Sequence, residues 1–457
     1  MPRIFSFFLC VLALGAAEPA DSIWSARYVI TMDAQRRVIE NGAVAIKGDR
    51  ILAVGTKTEI DAKYQAKVRL DRPDAILAPG LINTHTHAAM SLFRGIADDL
   101  KLQDWLEKFI FPAEAKNVTA DFVRWGTRLG ALEMLLSGTT TFTDMYYFEE
   151  VVAEATKEAG MRGVLGETII GFPVADNKTP ADGLVYTEKF LKRFAGDPLI
   201  TAAVAPHALY TNSDETLKAS RALANKYGAP LVIHLSETKK ENDDELAKRH
   251  TTPTRTLDDL GVWNGRSIAA HAVWVDEADM AILKARGVGI GHCPSSNMKL
   301  SSGVAPVTRM LALDLKVGLG PDGPAGSNND FNLFEEMDLA AKLAKVTTMN
   351  PQALPATAAL EMATIRGARA LGMEKEIGSL EAGKRADLIT VRIDRPHAQP
   401  LYDAVSQMVY ALKGSDVRDV MVNGKPVVRD ARVLTLDEKA ILAKAAEYRA
   451  KISASLK

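Results

Sequence analysis

The sequence has almost no cysteine: only Cys10 and Cys293 occur among its 457 residues. Cys10 lies in an N-terminal segment that we expect to be removed, which leaves Cys293 without a partner in the same chain. An intramolecular disulfide is therefore excluded in the mature protein, although its destination is an oxidising one.

An excess of charge of one sign is missing as well. The 56 lysines and arginines nearly balance the 57 acidic residues, giving a formal net charge of -1, and no long basic run occurs. Proteins that bind nucleic acids usually carry a basic patch or stripe, so we expect no nucleic-acid partner. The apolar content of 47% is ordinary for a soluble globular protein.

The apolar run near the N-terminus is too short for a membrane span. Residues 4–14 fall below the ~20 apolar residues that a spanning helix needs. Arg3 precedes this run and the small residues 15–17 follow it, which is the order of a secretory signal peptide. We therefore predict a signal peptide at residues 1–17 and an exported protein, periplasmic or secreted, that is free of the membrane. The alternative is an uncleaved extension of a cytoplasmic protein.

Both ends of the chain carry strand patterns. The dipeptides Gly48-Asp49 and Asn423-Gly424 each separate two apolar runs, as the central residues of two-residue hairpin turns do. The last stretch instead has helical composition and apolar spacing. The predicted units are a composite β-sandwich of residues 22–76 and 383–436, and a C-terminal helix of residues 437–457.

Between these ends, short apolar strands alternate with longer amphipathic segments. Eight strand-like runs occur: AILAPGLIN, TTTFTD, RGVLGE, TAAVAPH, APLVIHL, SIAAHA, VGIGH and KVGLGPD. Eight βα units over about 300 residues fit one closed barrel better than an open sheet. The sequence thus predicts an α/β fold with a (β/α)8 TIM barrel at residues 77–382.

Histidines are concentrated at the carboxyl ends of these runs. Six of the eight histidines lie there, in five different runs: His85, His87, His207, His234, His271 and His292. Asp322 closes the eighth run. Because the carboxyl ends of barrel strands converge on one mouth, these side chains can supply nitrogen and oxygen ligands to a catalytic metal.

The motifs around these residues resemble the amidohydrolase superfamily, and within it the 5-methylthioadenosine/S-adenosylhomocysteine deaminases. The resemblance rests on GLINTHTHAAMSLFRGIADDL, APHALY, IHLSET, AAHAVW, HCPSSNMKL and GLGPDGPAGSNNDFNLFEEM, in that order. It extends from about Arg27 to Val428 and implies a small-molecule substrate and a homodimer or tetramer.

The resemblance also implies roles for individual residues. It implies one divalent metal ion, zinc with iron(II) or manganese(II) as alternatives, held by His85, His87, His234 and Asp322. It implies Glu237 as the proton shuttle and His271 as a contact of the attacking water or leaving group. It implies Glu114 as a ribose-binding acid and His207 as a further substrate contact. His292 receives no role.

Elementary chemistry agrees with such an assignment. A metal lowers the pKa of a bound water from 15.7 to about 7, Asp322 can take a proton, and Glu237 can protonate a ring nitrogen. The cytidine deaminases use H-x-E and P-C-x-x-C motifs instead, and C-x-x-C is absent here. We predict a metal-dependent hydrolytic deaminase of adenosine-type nucleosides, a hydrolase of C–N bonds other than peptide bonds.

Two alternatives remain. One is a hydrolase on the same barrel that cleaves a cyclic amide or displaces a ring substituent; the other is a catalytically inactive metal-binding or scaffold protein. The fourth run ends in His207 rather than in a lysine that could carry a bridging carbamate, which weakens a dipeptidase function. The presence of Glu237, His271 and Asp322 argues against an inactive protein.

Two departures from the family bear on the substrate. Members that accept S-adenosylhomocysteine use arginines after the third strand, where this chain has Glu167, with Lys178 or Lys189 as the only nearby substitutes. An acid there would repel a substrate carboxylate. The loop after Asp322 is one residue longer than usual, so a substrate contact by Ser327 is not assigned. We expect a neutral nucleoside or another aminated ring.

Overall fold

The computed structural model describes residues 17–456, which form two separate sheets. The predicted signal peptide, residues 1–17, lies outside this range except for its last residue, so export stays a prediction. Among the described residues, no helix has the length and apolar character needed to cross a membrane.

The strands are β1 (Glu18–Ile30), β2 (Val38–Lys47), β3 (Arg50–Thr56), β4 (Tyr64–Pro79), β5 (Leu81–Thr86), β6 (Thr139–Tyr146), β7 (Arg162–Ile169), β8 (Ile200–Pro206), β9 (Leu231–Leu235), β10 (Ser267–His271), β11 (Gly289–His292), β12 (Lys316–Leu319), β13 (Leu388–Arg392), β14 (Val417–Val422), β15 (Lys425–Arg429) and β16 (Arg432–Val433).

The α-helices are α1 (Lys57–Lys63), α2 (Leu102–Asp104), α3 (Phe111–Asn117), α4 (Ala120–Leu136), α5 (Glu149–Ala159), α6 (Pro180–Arg193), α7 (Asp214–Tyr227), α8 (Lys239–Arg249), α9 (Pro253–Asp259), α10 (Glu277–Arg286), α11 (Pro294–Lys299), α12 (Val307–Ala312), α13 (Leu333–Thr348), α14 (Ala356–Met362), α15 (Ile365–Ala370), α16 (Ala404–Tyr410) and α17 (Glu438–Ser455).

Strands β5 to β12 close into a barrel in chain order, and every neighbouring pair is parallel. Apolar side chains from six of these strands form one cluster, which is possible only inside the barrel: Ile82, Met145, Val164, Ala203, Ala205, Val232 and Ile268. All eight predicted runs contribute a barrel strand, so the (β/α)8 prediction is confirmed.

The first predicted run requires a correction, because AILAPGLIN belongs to two strands. Its first five residues end β4, in the other sheet, and Leu81 begins β5 in the barrel. Gly80 joins the two, and a Cβ there would lie 2.2 Å from the Thr140 side chain. The chain can therefore pass from one sheet to the other at this point only with a residue that has no side chain.

The second sheet combines both ends of the chain in the order β16-β15-β14-β13-β4-β1-β2-β3. Only β1 and β4 are parallel; the N-terminal and C-terminal strands meet where β4 pairs with β13 in antiparallel fashion. The predicted union of the two ends is confirmed, and so are the two hairpins, in which Lys47 pairs with Arg50 and Val422 with Lys425. The exact domain boundaries stay predictions.

Candidate active site

Four histidines meet at the carboxyl ends of barrel strands. His85 lies in β5, His87 directly after it, His234 in β9, and His271 at the end of β10. The ring centroid of His85 lies 4.9 Å from that of His87, 4.9 Å from that of His234 and 5.3 Å from that of His271. The structure therefore brings together four histidines that are up to 186 positions apart in the sequence.

A carboxylate completes this group. Asp322, which follows β12, places Oδ1 3.2 Å from His85 Nε2 and 3.3 Å from His87 Nε2. The His234 and His87 Nε2 atoms are 3.4 Å apart. Nitrogen and oxygen atoms from three strand ends thus converge on one small volume.

Backbone carbonyls fix the orientation of two of these rings. His87 Nδ1 lies 2.6 Å from the Met145 carbonyl oxygen, and His234 Nδ1 lies 2.8 Å from that of His207. Because a carbonyl oxygen only accepts hydrogen bonds, each Nδ1 carries the hydrogen. Nε2 is then the nitrogen that each ring presents to the group and that can bind a metal, as in metal-binding histidines.

The donor set fits a divalent metal ion. Within residues 17–456, neither ring nitrogen of His85 forms a well-aligned hydrogen bond, although Nε2 lies beside Asp322 and the side chain is only 1% exposed. The potential ligand atoms of His85, His87 and Asp322 lie within 4.8 Å of one another, and so do those of His85, His234 and His271. Unpaired buried nitrogens beside a carboxylate are costly in a protein unless a cation binds them.

The backbone is strained at the same strand ends. Four residues here have positive φ angles without being glycine: Ser236 (46°), His271 (70°), Ala272 (47°) and Asp322 (65°). Such conformations cost energy and persist where the surrounding structure imposes them, often at active sites. The strain therefore marks the same mouth that the histidines define.

Glu237 faces the cavity beside this group. Its side chain is 6% exposed, and its Oε2 lies 3.8 Å from His271 Nε2. Burial raises the pKa of Glu237 above its usual value. A carboxyl group with a raised pKa keeps its proton to a higher pH than a solvated glutamate does, and can transfer it.

Two further residues, which the sequence did not predict, orient Asp322 and His271. Ser296 Oγ donates a 2.7 Å hydrogen bond to Asp322 Oδ2, and Asn297 Oδ1 lies 3.1 Å from His271 Nδ1. Both belong to the motif HCPSSNMKL, so the motif itself was the available signal.

Glu114 lies in the same cavity and is bound by two tyrosines. The Tyr146 hydroxyl donates to Oε1 at 2.7 Å, and the Tyr147 hydroxyl lies 3.4 Å from Oε2. Burial raises the pKa of Glu114 to about 7. Tyr146 ends β6 and Tyr147 follows it, but nothing in their spacing predicted this contact.

His207 lines the cavity next to the histidine group without joining it. Its ring centroid is 4.7 Å from that of His234, and its Nδ1 lies 3.1 Å from Thr211 Oγ1. Burial lowers the pKa of His207 to about 3, so the ring is neutral. A neutral imidazole here can donate one hydrogen bond to a ligand or accept one from it.

The remaining cavity wall is largely apolar. One side comes from residues 102–111, which include a π-helical turn at Trp105–Ile110, a geometry often found at functional sites. Of the described residues that line the cavity, only Glu114, Glu237 and Asp322 are acidic, and none is lysine or arginine. Ser327 also lines it, but its hydroxyl donates to the Gly323 carbonyl oxygen at 2.6 Å.

Glu167 does not lie in this cavity, which corrects our interpretation of that position. Its carboxylate is fully buried behind the barrel, where it accepts hydrogen bonds from the Glu149 backbone N–H at 3.0 Å and from Asn177 Nδ2 at 2.9 Å. Alternation along β7 directs the next residue, Thr168, into the cavity and Glu167 away from it. Glu167 therefore cannot repel a substrate directly.

His292 also lies outside the cavity. It borders a separate apolar pocket between α12 and α13, and burial lowers its pKa to about 4. The structure thus separates it from the other five strand-end histidines, in agreement with its lack of a family role.

Known proteins resemble this chain over most of its length. The model of the amidohydrolase family matches residues 76–427. A 5-methylthioadenosine/S-adenosylhomocysteine deaminase from Syntrophus aciditrophicus (strain SB) is 46% identical over 440 residues, which cover 96% of this chain and 99% of that protein.

Two other proteins are similar over nearly their whole lengths. A 5'-deoxyadenosine deaminase from Methanosarcina mazei is 43% identical over 93% of this chain and 97% of its own. The crystal structure of an adenosine deaminase from Xanthomonas campestris with bound zinc has a TM-score of 0.94 at 38% identity, covering 96% of this chain and 100% of that one.

Proposed function

The chain belongs to the amidohydrolase family, and from this premise we infer that it is a metal-dependent hydrolase that deaminates adenosine-type nucleosides. The reaction adds water to purine C6 and releases ammonia, so the amino group is replaced by a carbonyl oxygen. The observation that carries this function is a single cavity whose lining includes three of the four histidines of the group together with Glu237, Asp322 and Glu114.

We propose zinc as the resident metal, with His85, His87, His234 and Asp322 as its ligands. Three nitrogens and one oxygen are a donor set that zinc accepts, and the zinc-containing adenosine deaminase with a TM-score of 0.94 supports this choice. When bound, the metal lowers the pKa of a water molecule and makes it nucleophilic near neutral pH.

The acidic residues then have separate tasks. Glu237, whose pKa is raised by burial, donates its proton to the ring nitrogen next to C6 and so makes C6 electrophilic. Asp322 accepts a proton from the attacking water, and transfer of that proton to the amine lets ammonia leave instead of amide ion. Glu237 recovers its proton from the C6 hydroxyl, which becomes the carbonyl group. His271, which lies 3.8 Å from Glu237, donates or accepts a hydrogen bond at the attacking oxygen.

Glu114 supports a nucleoside rather than a free base. A buried carboxylate can accept hydrogen bonds from both hydroxyls of a ribose, and Tyr146 and Tyr147 hold this one in place. His207, on the neighbouring wall, can contact the sugar or the purine.

We further propose that the substrate has a neutral 5' end. The wall of residues 102–111 contributes Leu102, Trp105, Leu106, Ile110 and Phe111 to the cavity. The absence of lysine and arginine from the described lining leaves a substrate carboxylate without a counter-charge, and its burial would cost several kcal/mol.

The test is ammonia release by the purified, zinc-loaded protein from adenosine, 5-methylthioadenosine, 5'-deoxyadenosine and S-adenosylhomocysteine. We expect turnover of the first three, with kcat/KM for S-adenosylhomocysteine at least about 100-fold lower, which corresponds to ~2.7 kcal/mol. No ammonia from any of the four would contradict the deaminase, whereas equal rates would contradict only the neutral 5' end.

A further inference from the structure

Glu237 is placed by a strained turn. Strand β9 ends at Leu235, and the next residue, Ser236, has a φ angle of 46°. This left-handed conformation is unfavourable for a serine, yet it redirects the chain so that Glu237 faces the cavity. Some interaction must therefore hold the turn in place.

Glu241 provides that interaction through both of its carboxylate oxygens. Oε1 accepts a hydrogen bond from the Ser236 backbone N–H at 3.0 Å, and Oε2 accepts one from the Glu237 backbone N–H at 2.8 Å. Glu241 lies in the first turn of α8, where its own N–H donates to Thr238 Oγ1 at 3.2 Å, and the residue is only 8% exposed.

The opposite side of the turn is bound to the strand end that carries His271. The Ser236 carbonyl oxygen accepts hydrogen bonds from the backbone N–H groups of Val273, at 3.1 Å, and Trp274, at 3.0 Å. The turn is thus held between Glu241 and the segment after β10. A shift of this turn would change the 3.8 Å separation between Glu237 and His271.

We propose that Glu241 is a positioning residue that aims the Glu237 carboxyl group at the substrate; this inference rests on the proposed deaminase function. Glu241 does not line the cavity with Glu237 and so acts only through the turn. Both oxygens of the carboxyl group are required, because two adjacent N–H donors need two acceptor oxygens. A glutamine has one oxygen, and its amide group would oppose the second N–H donor.

The test compares Glu241→Gln with Glu245→Gln in the full-length, zinc-loaded enzyme. Glu245 is one turn further along α8 and is equally buried, but it accepts a hydrogen bond from Thr256 and forms an ion pair with Arg249 instead of binding the turn. We expect kcat to fall about 10- to 100-fold in Glu241→Gln, with KM and zinc content unchanged, because a small misplacement of a catalytic group costs up to about 100-fold. Glu245→Gln should keep the wild-type kcat.

A double-mutant cycle separates positioning from general destabilisation. If Glu241 acts through Glu237, adding Glu241→Gln to Glu237→Gln should lower kcat no further, since the proton donor is already absent. A further full loss of 10-fold or more in the double variant would overturn the proposal, and so would a wild-type kcat in the folded Glu241→Gln variant.

A wild-type enzyme that releases no ammonia from any adenosine would contradict the proposed function and not only the role of Glu241. If Glu241→Gln does not fold, Glu241→Asp keeps both oxygens but shortens their reach; the same fall in kcat at unchanged KM is expected, and its absence would overturn the proposal.

Discussion

The barrel mouth and the sheet built from both chain ends bury charged side chains, but the two regions differ in how fully these charges are paired within the chain. In the sheet, Arg72 donates two hydrogen bonds to Asp419, at 2.9 and 2.8 Å, and Thr390 Oγ1 donates a third at 2.6 Å. Asp419 is fully buried and has all the partners it needs. The charges of the sheet therefore join the two ends of the chain.

At the barrel mouth, buried polar atoms lack partners of this kind. His85 forms no well-aligned hydrogen bond from either ring nitrogen within the described residues, and Glu237 and Asp322 place two carboxylates in one cavity. The backbone at Ser236 and His271 is strained as well. Pairing within the chain thus stabilises the sheet, whereas the mouth is complete only when a ligand binds.

Removing a ligand residue at the mouth should have the largest effect. We expect the His85→Ala variant to bind no zinc. Its kcat/KM should fall more than about 1,000-fold, because the metal contributes several kcal/mol to the activation of water. Metal analysis and ammonia release measure both. Stoichiometric zinc in this variant would contradict the ligand assignment.

Glu237→Gln should separate metal binding from proton transfer. We expect this variant to keep its zinc, while its kcat falls about 100- to 10,000-fold, since only the proton donor is removed. The same two measurements apply. Near-normal turnover would show that another group transfers the proton.

A substitution in the sheet should lower stability and leave catalysis unchanged. Arg72→Met leaves the fully buried Asp419 without its main partner. We therefore expect the free energy of unfolding to fall by about 3 kcal/mol. Denaturant titration measures this loss, while kcat of the folded protein should stay at the wild-type value. A loss of kcat without a loss of stability would break the distinction between the two regions.

Glu114 should give the smallest effect, through the pH dependence of stability. Burial raises its pKa from 4.5 to about 7, so between these values the folded state keeps a proton that the unfolded state has lost. This group therefore makes the protein less stable as the pH rises through that window. The fall in Tm from about pH 5 to about pH 8 should be smaller in Glu114→Gln, as thermal unfolding would measure. An equal fall in both proteins would contradict the raised pKa.

Much of this architecture could be predicted because its signals are local. A barrel strand needs a short apolar run, and a two-residue hairpin needs a dipeptide such as Asn423-Gly424, so both are visible within a few residues. Histidines at the ends of such runs meet because parallel strands share one mouth. The histidine group was therefore predictable before any distance was known.

Other features depended on which way a side chain points. Glu167 was interpreted as part of the substrate site, but strand alternation turns it to the outside of the barrel. The sequence did not predict the roles of Tyr146 and Glu241, because each acts through a contact with a residue on another element or turn. The passage of the chain from one sheet to the other at Gly80 was not predicted either, because it lies within one continuous apolar run.

The sequence by itself determined the barrel, the pairing of the two chain ends and the residue types at the mouth. Only the tertiary structure decided which carboxylates face the cavity and which ones, such as Glu167 and Glu241, hold the backbone behind it. The physical reason is that residue type and periodicity are properties of neighbours in the chain. The partner of a buried charge is set by the packing of segments that are far apart in sequence.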